Sequence, residues 1–88
     1  MIKIMFICHG NICRSPMAEF VLKDMVQKQG RKDEFIIESS ATSFEEIGNP
    51  VHRGTAKILD SLGINYSGKR GRKRSVAEIE CEEEEITL

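Results

Sequence analysis

Residues 2–16 read IKIMFICHGNICRSP: an apolar run, a Gly-Asn turn carrying two cysteines and an arginine, then Ser-Pro. The run from Ile2 to Cys8 is nearly continuous in apolar character and is closed by Gly10, which predicts a strand buried on both faces, as parallel strands are. Ser15-Pro16 predicts the opposite kind of element. Ser favours the N-cap of a helix and Pro its first position, because both tolerate or satisfy the free N–H groups there. The loop from Cys8 to Arg14 therefore joins the C-terminal end of a strand to the N-terminus of a helix.

The same grammar continues downstream. Met17, Val21, Leu22 and Met25 fall on one side at helical spacing, and Gly30 stands where a helix stop is expected. The segment EFIIESSA predicts a second strand at about Phe35 to Ser39. Strand, helix and strand make a right-handed βαβ unit with parallel strands. GNPVHRGTAKILDSLG then supplies Asn49 as cap, Pro50 in the first turn, apolar Val51, Ile58, Leu59 and Leu62, and Gly63 as stop. Ser40 to Gly48 is left as the connecting loop. The predicted fold is α/β with a parallel sheet.

With 88 residues there is room for one domain. The 13 basic and 14 acidic residues nearly cancel to a net charge of −1, which supports neither a nucleic-acid binder nor an acidic tail protein. Three cysteines, Cys8, Cys13 and Cys81, make an odd number, and the apolar N-terminus is too short for a signal peptide or a membrane span. The expected setting is cytoplasmic, without a membrane or nucleic-acid partner, where thiols stay free. GKRGRKR and EIECEEEE, with five basic residues between Lys69 and Arg74 and six glutamates between Glu78 and Glu85, read as solvated charge blocks.

A loop between a strand end and a helix start is where open α/β sheets bind ligands. The backbone N–H groups of His9, Gly10, Asn11, Ile12, Cys13 and Arg14 can converge on an anion that the helix dipole also favours. Gly10 permits close approach and Asn11 can hold a left-handed conformation. Arg14 adds a planar fork matched to two phosphate oxygens. Positive surroundings lower the pKa of Cys8, making a thiolate nucleophile, and Ser15 can donate to it. Inorganic phosphate or sulfate is the expected occupant. No cofactor and no metal are implied, since Cys8, His9 and Cys13 lack the wider ligand set of a zinc site.

FICHGNICRSPMAE at positions 6–19, SSATS at 39–43 and GNPVHRGTAKIL at 48–59 together resemble the low-molecular-weight protein tyrosine phosphatases. The resemblance covers roughly residues 1–74 and leaves 75–88 as a divergent acidic tail. It implies an α/β three-layer sandwich with a parallel sheet, incomplete in this chain, a phosphotyrosyl protein substrate, a phosphocysteine formed on Cys8 and a phosphate held by Arg14. It also implies a loop-supporting network of Asn11, Ser15 and Ser39. Cys13 resembles the family's second loop cysteine, which can pair with Cys8 under peroxide; read structurally, it is equally a small residue packed under the loop.

The chain departs from the family pattern in one chemical respect. The family's general acid is an aspartate in an Asp-Pro pair, whereas the aspartates here are Asp24, Asp33 and Asp60, none before a proline. No general acid is found, and the expectation is a truncated form with impaired catalysis. The glutamates of VAEIECEEEEITL do not suit a central strand, so an open sheet edge, a homodimer through that edge, or recruitment of the tail as a substitute strand are the expected consequences. The alternatives are a non-catalytic phosphate or phosphotyrosine-binding module, and an arsenate reductase of the same fold using Cys81 as a relay. GINYSGKR imitates a nucleotide-binding G-x4-G-K, but Arg70 stands where Ser or Thr is needed. His9 is expected at the entrance of the loop and His52 on a helix surface.

Overall fold

The computed structural model of the chain describes residues 2–43, 45–72 and 84–88. Its elements are β1 (Ile2–Cys8), α1 (Arg14–Lys28), β2 (Phe35–Ala41), α2 (Arg53–Ser61) and β3 (Glu84–Thr87). The sheet order is β2-β1-β3 with both pairings parallel. The fold is therefore α/β with a parallel sheet. Its central strand is β1, which explains why Met5, Phe6, Ile7 and Cys8 are all buried: a strand flanked on both edges must be apolar on both faces.

Register assigns the faces. Phe6 lies opposite Ser39 and Cys8 opposite Ala41, and side chains on paired positions of a parallel sheet share a face. That face meets α1, since Glu19 of α1 bonds Ser39 and Ser15 bonds Cys8. Met5, Ile7 and Ser40 lie on the other face, where the Ser40 hydroxyl donates to the Met5 sulfur at 3.3 Å. Helix α2 packs against α1, anchored by Leu59, whose side chain is wholly buried.

The helix starts differ from the expected ones, for a shared reason. Helix α1 begins at Arg14 with Cys13 at its N-cap and no side-chain cap. Ser15, expected as the cap, turns its hydroxyl to Cys8 instead. Helix α2 begins at Arg53, and its cap is His52, whose Nδ1 accepts from the Gly54 N–H at 3.1 Å. Asn49 bonds Glu46 instead, and Pro50 sits in a bridge to Arg70. In both places the expected cap is bonded elsewhere, Ser15 to the preceding strand and Asn49 to a residue three positions back. Along α1 the buried positions are Ser15, Pro16 and Glu19, and Met25 is exposed, so the N-terminal end of the helix is the part pressed against the sheet.

Strand β2 runs two residues beyond its predicted end. Residues 84–87 of the expected acidic tail form β3, with the Leu88 N–H donating to the Ile7 carbonyl at 2.7 Å. An edge strand buries less than a central one, which is how a glutamate-bearing segment pairs here. The rest of that tail, with Cys81, lies outside the described residues. Among the described residues no helix is long and apolar enough to cross a membrane.

Replacing Leu59 by Ala removes the anchor of α2 without altering the loop. It is expected to lower stability by about 2–5 kcal/mol, read as a fall in the urea midpoint with unchanged slope.

Candidate active site

The loop between β1 and α1 closes around the Cys8 sulfur. The Ser15 hydroxyl lies 3.0 Å from Sγ, and the backbone N–H groups of Asn11 and Ser15 donate to it at 3.3 and 3.4 Å. Ser15 Oγ in turn accepts from Asn11 Nδ2 at 2.7 Å, which leaves its own proton for the sulfur. Donors facing a sulfur stabilise its anion. Burial alone would raise the Cys8 pKa, but the Ser15 hydroxyl and the N–H groups of Ser15, Asn11 and Gly10 outweigh it, and the thiol is held below its ordinary value.

Asn11 is the joint of the loop. Its φ of 57° lies in the left-handed region, which Asn tolerates better than most side chains. It has no exposed surface, so its amide must be satisfied inside the protein. The amide nitrogen donates to Ser15, and its oxygen accepts from the Arg72 backbone N–H at 3.1 Å.

Residues 69–72, read from the sequence as a solvated charge block, are instead a strap across the site. The Arg72 carbonyl accepts from the Ala41 N–H, and the Gly71 carbonyl from the Gly48 N–H. The Gly71 N–H donates to the Asn49 carbonyl at 2.8 Å. A Cβ at Gly71 would lie 2.3 Å from the Glu46 carbonyl oxygen, so a side chain there pushes the strap off the loop. Lys69, the lysine of the G-x4-G-K imitation, donates to the Ser39 carbonyl at 3.2 Å and pairs with Glu19 at 3.4 Å. Burial lowers its pKa, against the pull of Glu19.

Of the residues singled out in the sequence, Cys8, Asn11 and Ser15 form one connected network. Ser39 is fully buried nearby, but its hydroxyl proton goes to Glu19 and not to the amide of Asn11, because the buried carboxylate is the stronger acceptor. Arg14 opens α1 with its side chain exposed at the mouth. Cys13 is a free, exposed thiol whose sulfur accepts from the Thr55 hydroxyl at 3.2 Å, which ties the loop to α2. On the same side the His52 N–H donates to the Ile12 carbonyl. His9 is at the entrance, as expected, and pairs with Glu45 at 3.1 Å.

Glu19, Lys69 and Arg72 were not foreseen as site-supporting residues. One signal existed for Glu19: it stands four residues after Ser15, hence on the same helix face. Lys69 and Arg72 carried none, because their partners lie 30 to 61 positions away.

The family of low molecular weight phosphotyrosine protein phosphatases matches residues 3–88, so the match continues through β3. The tyrosine phosphatase YfkJ of Bacillus subtilis is 40% identical over 80 residues, 91% of this chain and 51% of that protein. Its crystal structure superposes with a TM-score of 0.95 at 38% identity, covering 100% of this chain and 55% of the other. The phosphatase PtpA of Staphylococcus epidermidis is 44% identical over 68 residues, 77% of this chain and 44% of its own. The tyrosine phosphatase Wzb of Escherichia coli K30, solved in complex with sulphate, is 26% identical with a TM-score of 0.68, covering 85% of this chain and 48% of its own. The chain thus spans about half the length of the relatives it matches.

Two measurements test this geometry. Alkylation of Cys8 followed against pH is expected to give a midpoint below that of an unstructured cysteine, and Ser15→Ala is expected to move it upward, because a donor to the thiolate is lost. Gly71→Ala is expected to raise the same midpoint, since displacing the strap withdraws the Arg72 N–H that holds Asn11.

Proposed function

This chain belongs to the low molecular weight phosphotyrosine protein phosphatase family, and we propose that its own contribution to that chemistry is hydrolysis of aryl phosphate monoesters, phosphotyrosine among them, through a phosphocysteine on Cys8. The observation that carries the reading is the convergence of the Ser15 hydroxyl and the Asn11 and Ser15 N–H groups on the Cys8 sulfur. A buried structural thiol has no need of three donors; a thiolate has.

The steps follow from these positions. The phosphoryl oxygens of the substrate occupy the loop from His9 to Arg14, where backbone N–H groups and the start of α1 favour negative charge. Sulphate in the Wzb complex has the charge and shape of the group this loop takes up. Arg14 swings its exposed guanidinium onto two of the oxygens and offsets the charge that builds up as the bond breaks. The Cys8 thiolate attacks phosphorus, an S–P bond forms, and the P–O bond to the aryl group breaks with its electron pair on the phenolate. Water then attacks phosphorus, the S–P bond breaks, inorganic phosphate leaves, and the thiolate is restored to the Ser15 donor. Asn11 and Ser15 hold the loop in shape throughout.

Proton delivery to the phenolate is the weak step for these 88 residues. Asp24 is paired with Lys28 at 2.9 Å on α1, and Asp33, in the turn before β2, and Asp60, near the end of α2, are exposed. None of the three is bonded to the loop, and the described carboxylates beside it, Glu45 and Glu46, are already paired with His9 and Asn49, so in this reading the leaving phenolate takes its proton from water. Turnover then depends steeply on how acidic the leaving group is.

An activated aryl phosphate is expected to be hydrolysed by the 88-residue chain and not by its Cys8→Ser variant, in a steady-state phosphate-release assay. Phosphotyrosine is expected to be slower than in a full-length relative by roughly 10²–10⁴-fold, the usual contribution of a general acid. Tight binding of phosphate with no Cys8-dependent turnover of either substrate would instead identify a binding module.

A further inference from the structure

We infer that the outer edge of β2 is a docking site for an extended acidic segment of a partner protein, added as a parallel strand beside Phe35–Ser39 with one apolar side chain in the groove under α1 and a carboxylate on either side of it. The inference is independent of the chemistry at Cys8.

The open edge follows from the sheet order and from the alternation within a strand. Strand β2 is an outer strand, paired with β1 alone. In a strand the N–H and C=O of one residue point to the same edge, and those of the next residue to the other. The Thr42 N–H donates to the Cys8 carbonyl, on the β1 side, and the Ala41 N–H to the Arg72 carbonyl, on the outer side. By that alternation Phe35, Ile37 and Ser39 also direct their backbone groups outward. Part of this edge is already occupied: the Phe35 N–H donates to the Lys32 carbonyl, and the Ser39 carbonyl accepts from Lys69 Nζ at 3.2 Å. The Phe35 carbonyl, both groups of Ile37 and the Ser39 N–H have no partner among the described residues. Such an edge is a template for another strand.

The open groups suit one kind of guest. A parallel strand bonds its host through alternate residues, each donating to the carbonyl before its register partner and accepting from the N–H after it. Guest residues opposite Ile36 and Glu38 therefore bond all of the open groups, whereas an antiparallel guest opposite Phe35 needs the N–H that Lys32 already holds. The guest residue between them lies opposite Ile37 and shares its face. That face is the α1 side, where Val26, Phe35 and Ile37 line a groove of about 380 Å³, with room for a large apolar side chain.

The charge around the groove selects what flanks that side chain. Lys23 and Lys32 stand at the groove against one carboxylate, Asp33. Glu19, the partner of Lys23, is shared with Lys69, and Lys32 pairs with none of the described residues. A guest carboxylate opposite Phe35 comes to the side of Lys32, and one opposite Ser39 to the side of Lys23. A second copy of this edge would bring the same excess of positive charge, so the complementary occupant is an acidic segment that gains its main-chain bonds by strand addition.

The test follows amide shifts of the isotope-labelled 88-residue chain as a capped peptide with the core Glu-Thr-Leu-Thr-Glu is added, in excess inorganic phosphate to keep the peptide's carboxylates out of the Cys8–Arg14 loop. Saturable shifts are expected at Ile37 and Ser39. A peptide with Lys in place of both Glu is expected to bind more weakly by roughly fivefold or more, and Lys32→Glu to weaken the acidic peptide by roughly twofold to fivefold, the scale of one exposed ion pair. Methylating the amide nitrogen of the first Thr removes the donor to the Phe35 carbonyl and is expected to weaken binding by roughly threefold to tenfold. An unchanged amide spectrum away from the turn checks that Lys32→Glu is folded. No saturable shift, shifts confined to the loop, or equal binding of the acidic, basic and methylated peptides overturns the assignment. Concentration-dependent shifts at this edge without peptide overturn it as well, in favour of a second copy.

Discussion

The buried amide of Asn11 is the constraint on which the rest of the site depends. A side chain with no exposed surface and a backbone in the left-handed region costs free energy unless both ends of its amide are satisfied. One end is satisfied within the loop, by Ser15, and the other by a backbone N–H from residue 72. The first bond aims the Ser15 proton at the sulfur. The second makes the loop's shape conditional on a segment far along the chain.

That condition explains the arrangement of polar groups around the sheet. The strap of residues 69–72 is fixed at one end by Lys69, which enters between Glu19 and the Ser39 carbonyl. At the other end the Arg72 guanidinium reaches the opposite face of the sheet, where it meets Glu38 at 3.1 Å and the Met5 sulfur. A strap held on both faces has little freedom to slide. The Cys8 sulfur is thus indirectly positioned by charges that never touch it, and a buried ion pair is a costly device whose value lies in geometry more than in stability.

The functional consequence is a division of labour around one loop. Its inner surface is built from uncharged donors directed at the sulfur, which favour a thiolate without crowding it with a permanent cation. Its outer surface carries the formal charges, Arg14 at the mouth and the His9–Glu45 pair on the rim. Separating the two lets the inner surface set the state of the sulfur while the rim meets solvent.

Much of this was legible in the sequence, and the limit falls at a definite place. Strand β1, the loop with Asn11 in its left-handed turn, and the bond from Ser15 to Cys8 are local: the bonded residues lie seven positions apart, and apolar run, Gly-Asn turn and Ser-Pro each act through short-range sterics and hydrogen bonding, while the βαβ order follows from the succession of such local signals. The helix caps were misplaced because Ser15 and Asn49 each have a competing partner, Cys8 across the loop and Glu46 within the turn, and propensity does not say which use prevails. The role of the charge block was misread for a related reason. Lysine and arginine in a row are solvated in most settings, and only the fold brings Lys69 to a buried glutamate 50 positions earlier and the Arg72 peptide to the amide of Asn11. The sequence by itself determined which residues could do the chemistry, because reactivity belongs to side-chain type and local turn. Only the tertiary structure decided what holds them in place, because each remaining bond joins segments whose approach depends on the packing of sheet, helix and strap together.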